Sequence, residues 1–426
     1  MRRVVAFVLM VAVVLAVAPT EAQPCPKGKL RIYGSWPMQG VTHSVAIGLK
    51  SGLEMAVEEV GGTVAGYCLQ LVHLNGDSPQ TTTWDPAIEA RNAYMAVGDS
   101  EAVAYIGPYT SGASRISLPI TNRASMAQLG PSATYAGLTR RAPGTADGEP
   151  WIYRPQAIVN FFRLVIPADV QAEAAARWAR RLGAKQAFIL HDGETYGRGI
   201  AAAFETSARK MGLTILANQP IDRTQPNHRT LLTRIRASGA DVVYMGGRSE
   251  TGAPALIREM AEVGLVAPRV RFMGPGQLRD DTVLEDATCE AAMATDMRVT
   301  FAGLPREKMK GTGRTTYETF VERFGEERSP WDLYAVEAGR VVIDGIRRAA
   351  DDLERAKTLI EKREAVRKAI AATKGFHGHT GTWSFDRNGD VAYDAADLDQ
   401  TVSGFRVVKS DGPFGCSFEF DAPIGK

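Results

Sequence analysis
Apolar runs of strand length alternate with segments of helical period along most of this 426-residue chain, and the alternation breaks off near Tyr153 and begins again. Residues 30–33, 69–74 and 103–106 read as strands, with helices around 50–60 and 86–97 between them. After the break, helical and strand patterns follow at 170–182, 187–191, 198–211, 214–217, 230–237, 241–245 and 253–263. That rhythm gives parallel strands with helices on both faces, because a parallel pair needs a crossover long enough to hold a helix. Two such series predict two lobes. A strand at 293–299, long helices around 317–324 and 332–350, and a charged helix at 352–372 are read as returning to the first lobe. Strands at 381–385 and 404–408 flank Asp386-Arg-Asn-Gly-Asp390, whose Asn-Gly pair is a hairpin signal. The expected fold is α/β: two Rossmann-like or flavodoxin-like lobes with parallel sheets, joined by three crossovers. Residues 23–153 and 295–384 are assigned to lobe 1, and 154–294 and 385–426 to lobe 2.

Two hydroxyl-rich turns, Gly107-Pro-Tyr-Thr-Ser-Gly-Ala113 and Gly130-Pro-Ser-Ala-Thr134, each follow a short apolar run and precede a helical pattern. In an open α/β sheet the carboxyl ends of the strands face the ligand crevice, and the free N–H groups that open a helix attract an anion. Ser111, Ser132 and Thr134 would add hydroxyls to those amides. Ser and Thr ordinarily cap helices at such positions. It is the pair of turns on consecutive strands, behind an export leader, that favours ligand binding.

That leader is residues 1–22: Arg2 and Arg3, an apolar stretch from Val4 to Ala18, and small residues ending at Ala22, after which cleavage is expected. The stretch is short for a membrane span, and the mature chain is expected in the periplasm or another extracytoplasmic space. Pro24 stands where lipid attachment to Cys25 needs a small residue. Without the leader, 48 basic residues face 47 acidic ones, which argues against nucleic acid or an anionic membrane surface as partner. The four cysteines, Cys25, Cys68, Cys289 and Cys416, have no metal or redox spacing, and an even count in an oxidising compartment suggests two disulfides. Three pairings are possible. Cys25 and Cys68 each precede a lobe 1 strand, which favours joining them and leaves Cys289 for Cys416.

Taken in order, Tyr105-Ile-Gly-Pro-Tyr-Thr-Ser111, Gly130-Pro-Ser-Ala-Thr-Tyr-Ala-Gly-Leu-Thr139, His191-Asp-Gly-Glu-Thr-Tyr-Gly197, Val243-Tyr-Met-Gly-Gly247, Phe272-Met-Gly-Pro275 and residues 381–390 resemble branched-chain amino acid substrate-binding proteins of ABC importers. Glu54-Met-Ala-Val-Glu-Glu59 on the first helix belongs to the same pattern, which covers essentially the whole mature chain. The resemblance implies a type I periplasmic-binding fold, not an enzyme, working as a monomer without a cofactor. Its lobes would close on an amino acid or related carboxylate that is handed to membrane permease subunits. The alternative is a sensor acting with a separate membrane receptor. Carried over, Thr110 and Ser111 hold the ligand carboxylate, Ser132, Ala133 and Thr134 hold the head group, and Tyr196 closes from lobe 2.

The pattern breaks at three places. Gly276, followed by Gln277, stands where the family has an acidic residue for the ligand ammonium; Arg248 replaces a pocket tyrosine; and Val45 replaces another. Losing a carboxylate and gaining a guanidinium points to a ligand without a free α-amine, or to one whose second acidic group pairs with Arg248. Against that stands Glu250, two residues on, which could neutralise Arg248 or itself meet an ammonium; Arg248 could also face solvent. Trp36 could stack on an aromatic ligand or simply belong to the core. Catalysis has little support. No Gly-x-Ser-x-Gly elbow is present, His191 reads as a strand terminus, His377-Gly-His379 lacks a third metal ligand, and Asp386 to Asp390 reads as a turn.

Overall fold
The computed structural model describes residues 25–424 except 82, 280–282, 286, 394–400 and 413; the expected leader lies outside the described residues. Lobe 1 is built on β1 (Lys29–Trp36), β2 (Thr63–Val64), β3 (Tyr67–Asn75), β4 (Ala102–Ile106), β5 (Ala127–Gly130) and β6 (Phe161–Arg163). They lie in the order β2-β3-β1-β4-β5-β6, parallel except for the short β2 against β3. The central strand β4, Ala-Val-Ala-Tyr-Ile, is buried at every position, as an apolar run covered on both faces must be. Helices α1 (His43–Glu58), α2 (Pro86–Gly98) and α3 (Ser111–Arg123) supply the cover. The start of α2 is set locally, because Asp85 accepts the Ala87 and Ile88 amides and Pro86 occupies the first turn, where no N–H is needed.

The second lobe repeats the plan with α4 (Ala168–Arg181), β7 (Gln186–His191), α5 (Thr195–Lys210), β8 (Thr214–Pro220), α6 (Arg229–Ser238), β9 (Val242–Gly246), α7 (Ala253–Glu262), β10 (Arg271–Pro275), α8 (Ala287–Ala294) and β11 (Arg298–Ala302). The chain then packs α9 (Gly311–Phe324), α10 (Asp332–Arg348), α11 (Ala350–Arg355) and α12 (Leu359–Ala371) with the first lobe, and forms a small sheet of β12 (Phe376–Gly378), β13 (Gly381–Phe385) and β14 (Val391–Tyr393). Two last strands, β15 (Val402–Lys409) and β16 (Cys416–Pro423), complete a seven-stranded second sheet in the order β16-β15-β11-β10-β9-β7-β8. Helix α10 lies close on α1: a side chain at Gly48 or Gly52 would collide with Asp332, and one at Gly339 with Ala56.

The chain passes between the sheets three times, but several expected divisions move. Phe161–Arg163 bonds to β5, so lobe 1 extends past residue 153. Arg298–Ala302 lies between β10 and β15, so the return to lobe 1 begins after Ala302 and not at 295; residues 293 and 294 end α8. The Asn388-Gly389 turn joins β13 to β14, not to the strand containing Gly404, and the hairpin stays on lobe 1 through the Arg163–Asp390 bridge and the Phe162–Phe385 ring contact at 5.2 Å. The charged helix divides into α11 and α12, because Thr358 and Glu361 form a capping box. Disulfides join Cys25 to Cys68 and Cys289 to Cys416, with Cα atoms 5.3 and 6.1 Å apart.

Candidate ligand-binding site
In both sheets the strand order switches, between β1 and β4 in one lobe and between β7 and β9 in the other, although these pairs stay parallel. The loops leaving those strands carry most of the expected residues. After β4, Gly107 turns with φ +94°, and a Cβ there would lie 2.8 Å from the Ser35 carbonyl oxygen, so the turn needs glycine. Thr110 then caps α3, its hydroxyl accepting the Ala113 amide at 3.2 Å. The Ser111 and Gly112 amides of the first turn have no acceptor inside the helix.

The two hydroxyl turns are tied to each other. Ser111 Oγ accepts the Tyr135 amide at 3.2 Å, and Ser132 Oγ donates to the Tyr109 carbonyl at 2.9 Å. These bonds leave the two serines with different capacities. Thr110 and Ser111 act as acceptors within the protein, so both hydroxyl protons can point at an anion, whereas the Ser132 proton is already committed and its oxygen can receive a ligand donor.

From lobe 2, Tyr196 on the first turn of α5 donates to Gln277 Oε1, and burial holds its phenol protonated. Arg248 follows β9 and is buried, which excludes its facing solvent. Its Nε lies 2.6 Å from Glu250 Oε1. Burial alone would weaken the guanidinium as a cation, but the carboxylates of Glu250 and Asp192 outweigh it and raise its pKa. Asp192 is buried in turn, accepts the Thr251 hydroxyl at 2.9 Å, and is pushed above the usual aspartate range by desolvation.

Thr110, Ser111, Ser132, Tyr196, Arg248 and Gln277 share one small cavity with Tyr109, with room for about one water (≈ 10 Å³). Through Tyr109 and Gln277 it continues into an interlobe cleft of ≈ 480 Å³, which Val45, Glu250 and Gly276 also line. Three expected residues are placed differently. Ala133 packs into the core against Leu118, Tyr135 and Phe161. The Thr134 hydroxyl is buried behind the cavity wall without a well-formed hydrogen bond, while its carbonyl accepts the Ala168 amide. Trp36, 1% exposed, is core and not a stacking platform: its indole fills the space over Gly34 and Gly107 and donates to His73 Nδ1 at 2.9 Å.

At Gly276 the local packing is informative, since a Cβ would stand 3.0 Å from Phe301 and 3.1 Å from the Thr300 carbonyl oxygen. The backbone that carries an acidic side chain in the family pattern lies here against β11. Tyr109 and Arg279 line the cleft without having been singled out from sequence; Tyr109 stood inside the first turn motif, but no motif surrounds Arg279. The histidines once weighed for catalysis or metal are tied locally: His191 Nδ1 accepts the Gly193 amide, and His379 Nδ1 lies 2.8 Å from Glu337 Oε2.

Against known proteins, residues 30–404 match the family model described as periplasmic binding protein. An amino acid binding protein of Pseudomonas aeruginosa is 28% identical over 62% of this chain and 65% of its own length. The Leu/Ile/Val-binding protein BraC3 of Rhizobium johnstonii is 28% identical over 51% of this chain and 54% of its own, so the chain spans between half and two thirds of these relatives. A leucine-, isoleucine-, valine-, threonine- and alanine-binding protein of P. aeruginosa is 24% identical over 88% and 91%. Among solved structures, a leucine binding protein of Thermotoga maritima superposes with a TM-score of 0.73 at 20% identity, covering 92% of this chain and 98% of that one. A solute binding protein of Rhodopseudomonas palustris in complex with p-hydroxybenzoic acid gives 0.72 at 18% identity over 93% and 96%. With its two α/β lobes, three crossovers and interlobe cleft, the chain belongs to the periplasmic binding proteins, a family of binders and not of enzymes.

Proposed function
We propose that the protein is the extracytoplasmic binding component of an ABC importer, exported by its leader, and that it takes a small carboxylate lacking a free α-amine into the interlobe cleft for delivery to permease subunits. One observation carries the reading: the cavity that joins the hydroxyls of Thr110 and Ser111 at the start of α3 to Tyr196, Arg248 and Gln277 of the other lobe. A carboxylate there would meet two O–H donors and the α3 amides, and each hydrogen bond to a charged group contributes about 1.5 to 3 kcal/mol. For the ammonium of an amino acid, the small cavity offers the Ser132 oxygen but no unpaired carboxylate. Gly276 brings no carboxylate, a Cβ there being tight against Phe301 and Thr300, and Glu250 is already paired with Arg248. Tyr109 and Tyr196 offer a flat, amphipathic wall better suited to an aromatic body than to an aliphatic one. Solved structures of this fold include one in complex with leucine and one with p-hydroxybenzoic acid, which supports testing both ligand classes.

A thermal-shift and calorimetric screen tests this, because a ligand that binds only the folded state raises the melting temperature. Benzoate and 4-hydroxybenzoate are expected to stabilise the protein, and leucine, isoleucine and valine are not. Stabilisation by the aliphatic amino acids instead would mean that Glu250 leaves Arg248 to meet the ammonium, and the amine-free part of the proposal would fall. No response to any carboxylate would remove the binding proposal altogether.

A further inference from the structure
The ≈ 480 Å³ cleft adjoins the α3 cradle, sharing Tyr109 and Gln277 with it, and is larger than a simple monocarboxylate needs. Among the described residues its walls carry five charged groups, Glu250, Arg279, Arg306, Glu327 and Arg328, with different degrees of compensation, and Arg328 lies 2.9 Å from Glu326. Glu250 is bound to Arg248 at 2.6 Å, and Arg306 lies 3.3 Å from Glu307. Glu327 is pushed up by burial, with Arg279 and Arg306 only partly opposing. Arg279 is the exception: among the described residues its guanidinium has no hydrogen-bond acceptor and no carboxylate within ion-pair distance, and it rests on the ring faces of Phe405 at 4.1 Å and Phe301 at 5.5 Å. Aromatic faces hold the plane of the guanidinium and leave its N–H edge for another partner.

The two arginines that lobe 2 contributes, Arg248 to the small cavity and Arg279 to the cleft, therefore differ in kind. Neighbouring carboxylates outweigh burial at Arg248, whereas at Arg279 burial prevails over the carboxylates of Glu327 and Glu307, and Arg306 adds repulsion, so its pKa is lowered. Among the described residues, Arg279 is only partly compensated, by the carboxylates of Glu327 and Glu307. Arg279 is half-buried, and a partly desolvated, undercompensated charge is favoured when something of opposite sign joins it.

We propose that the cleft binds a dicarboxylate, one end in the α3 cradle and the other on the N–H edge of Arg279. The second anion thus goes to Arg279 and not to Arg248, and the inference rests on the carboxylate reading of the cradle. Matched pairs test it by calorimetry on the purified protein: benzoate against benzene-1,4-dicarboxylate, and hexanoate against hexanedioate. The diacid of at least one pair is expected to bind about tenfold or more tightly, and R279Q is expected to bring that ratio close to one. Equal affinities within both pairs, or an R279Q protein that keeps the preference, overturn the inference while the carboxylate reading stands. Should R279Q fail to fold, R279M keeps the apolar stem against Phe405 and takes its place, with the same two outcomes. Failure of all four acids to bind overturns both readings.

Discussion
Ser111 has one hydroxyl with two roles. Its oxygen accepts the Tyr135 amide, which pins the second ligand turn to the first, and its proton is left free to meet a ligand in the cavity it lines. Ser111→Ala should therefore act twice: unfolding of the ligand-free protein becomes about 1 to 3 kcal/mol easier, because a buried N–H loses its acceptor, and ligand binding weakens by a similar amount. Paired denaturation and titration measurements separate the two effects. Behind the same turn, Glu89 is fully buried and hydrogen-bonded by Ser35 at 2.6 Å and Tyr105 at 2.8 Å. Burial pushes its carboxyl up to about 7 from an ordinary 4.5 even though those hydroxyls favour the charged form. A carboxyl raised in the folded state binds more protons folded than unfolded between the two values. Its contribution is thus fully present below about 4.5 and is lost as pH rises through about 7, on the order of 3 kcal/mol in all. Glu89→Gln should flatten that slope, which denaturant melts at pH 5 and pH 8 would detect; an unchanged slope would exclude Glu89 as its source.

Elements whose pattern is local could be read from sequence. The buried strand β4, the capped helix α2 and the turn into α3 are each set by their own few residues, so expectation and structure nearly coincide. Elements defined by a distant partner were not legible. The three residues of β6 become a strand only at the edge of β5, β11 takes its lobe from β10 and β15, and β13 turns into β14 because Arg163 bridges Asp390. The same distinction divides the site. Thr110, Ser111 and Ser132 stand in turn motifs, whereas the isolation of Arg279 depends on Phe405, 126 positions away in the chain and in another element. At this scale the Cys289–Cys416 bridge fastens β16, the last strand of the second sheet, to α8 across 127 positions. C289S/C416S should cost about 2 to 5 kcal/mol, since the bridge removes a long loop's freedom from the unfolded chain. Hydrogen exchange should show the loss first in β15 and β16, and protection there equal to that of the intact protein would mean that the strands hold without the bridge.

If the lobes close on the ligand as proposed, closure can be stabilised only by contacts that exist in the closed form and not in the open one. One such contact lies outside the ligand cavity. Arg115, one turn along α3 from Ser111, donates from Nε to the Tyr153 hydroxyl at 2.6 Å and from Nη1 to Thr195 Oγ1 at 2.9 Å, reaching from lobe 1 to the first residue of α5. A cation is ordinarily disfavoured at a helix N-terminus. Here the buried Glu149 carboxylate stands 3.9 Å behind it and also accepts both the Tyr135 and Tyr153 hydroxyls. The lobes meet tightly beside it, where side chains at Gly144 or Gly199 would collide with Gly199 and Tyr135 respectively. Among the described residues the Arg115 side chain makes no hydrogen bond to the cavity lining, yet Thr195 precedes Tyr196, so the bond bears on the approach of the second lobe to the ligand. Arg115→Ala should shift the equilibrium toward the open form and weaken binding about three- to tenfold, the equivalent of one or two net hydrogen bonds. Small-angle scattering of the ligand-free protein should show a larger radius of gyration, and saturating ligand should restore the compact one. Weaker binding with unchanged scattering would place the effect of Arg115 on the ligand turn itself, whereas unchanged binding would mean that the closed form stands on its other contacts.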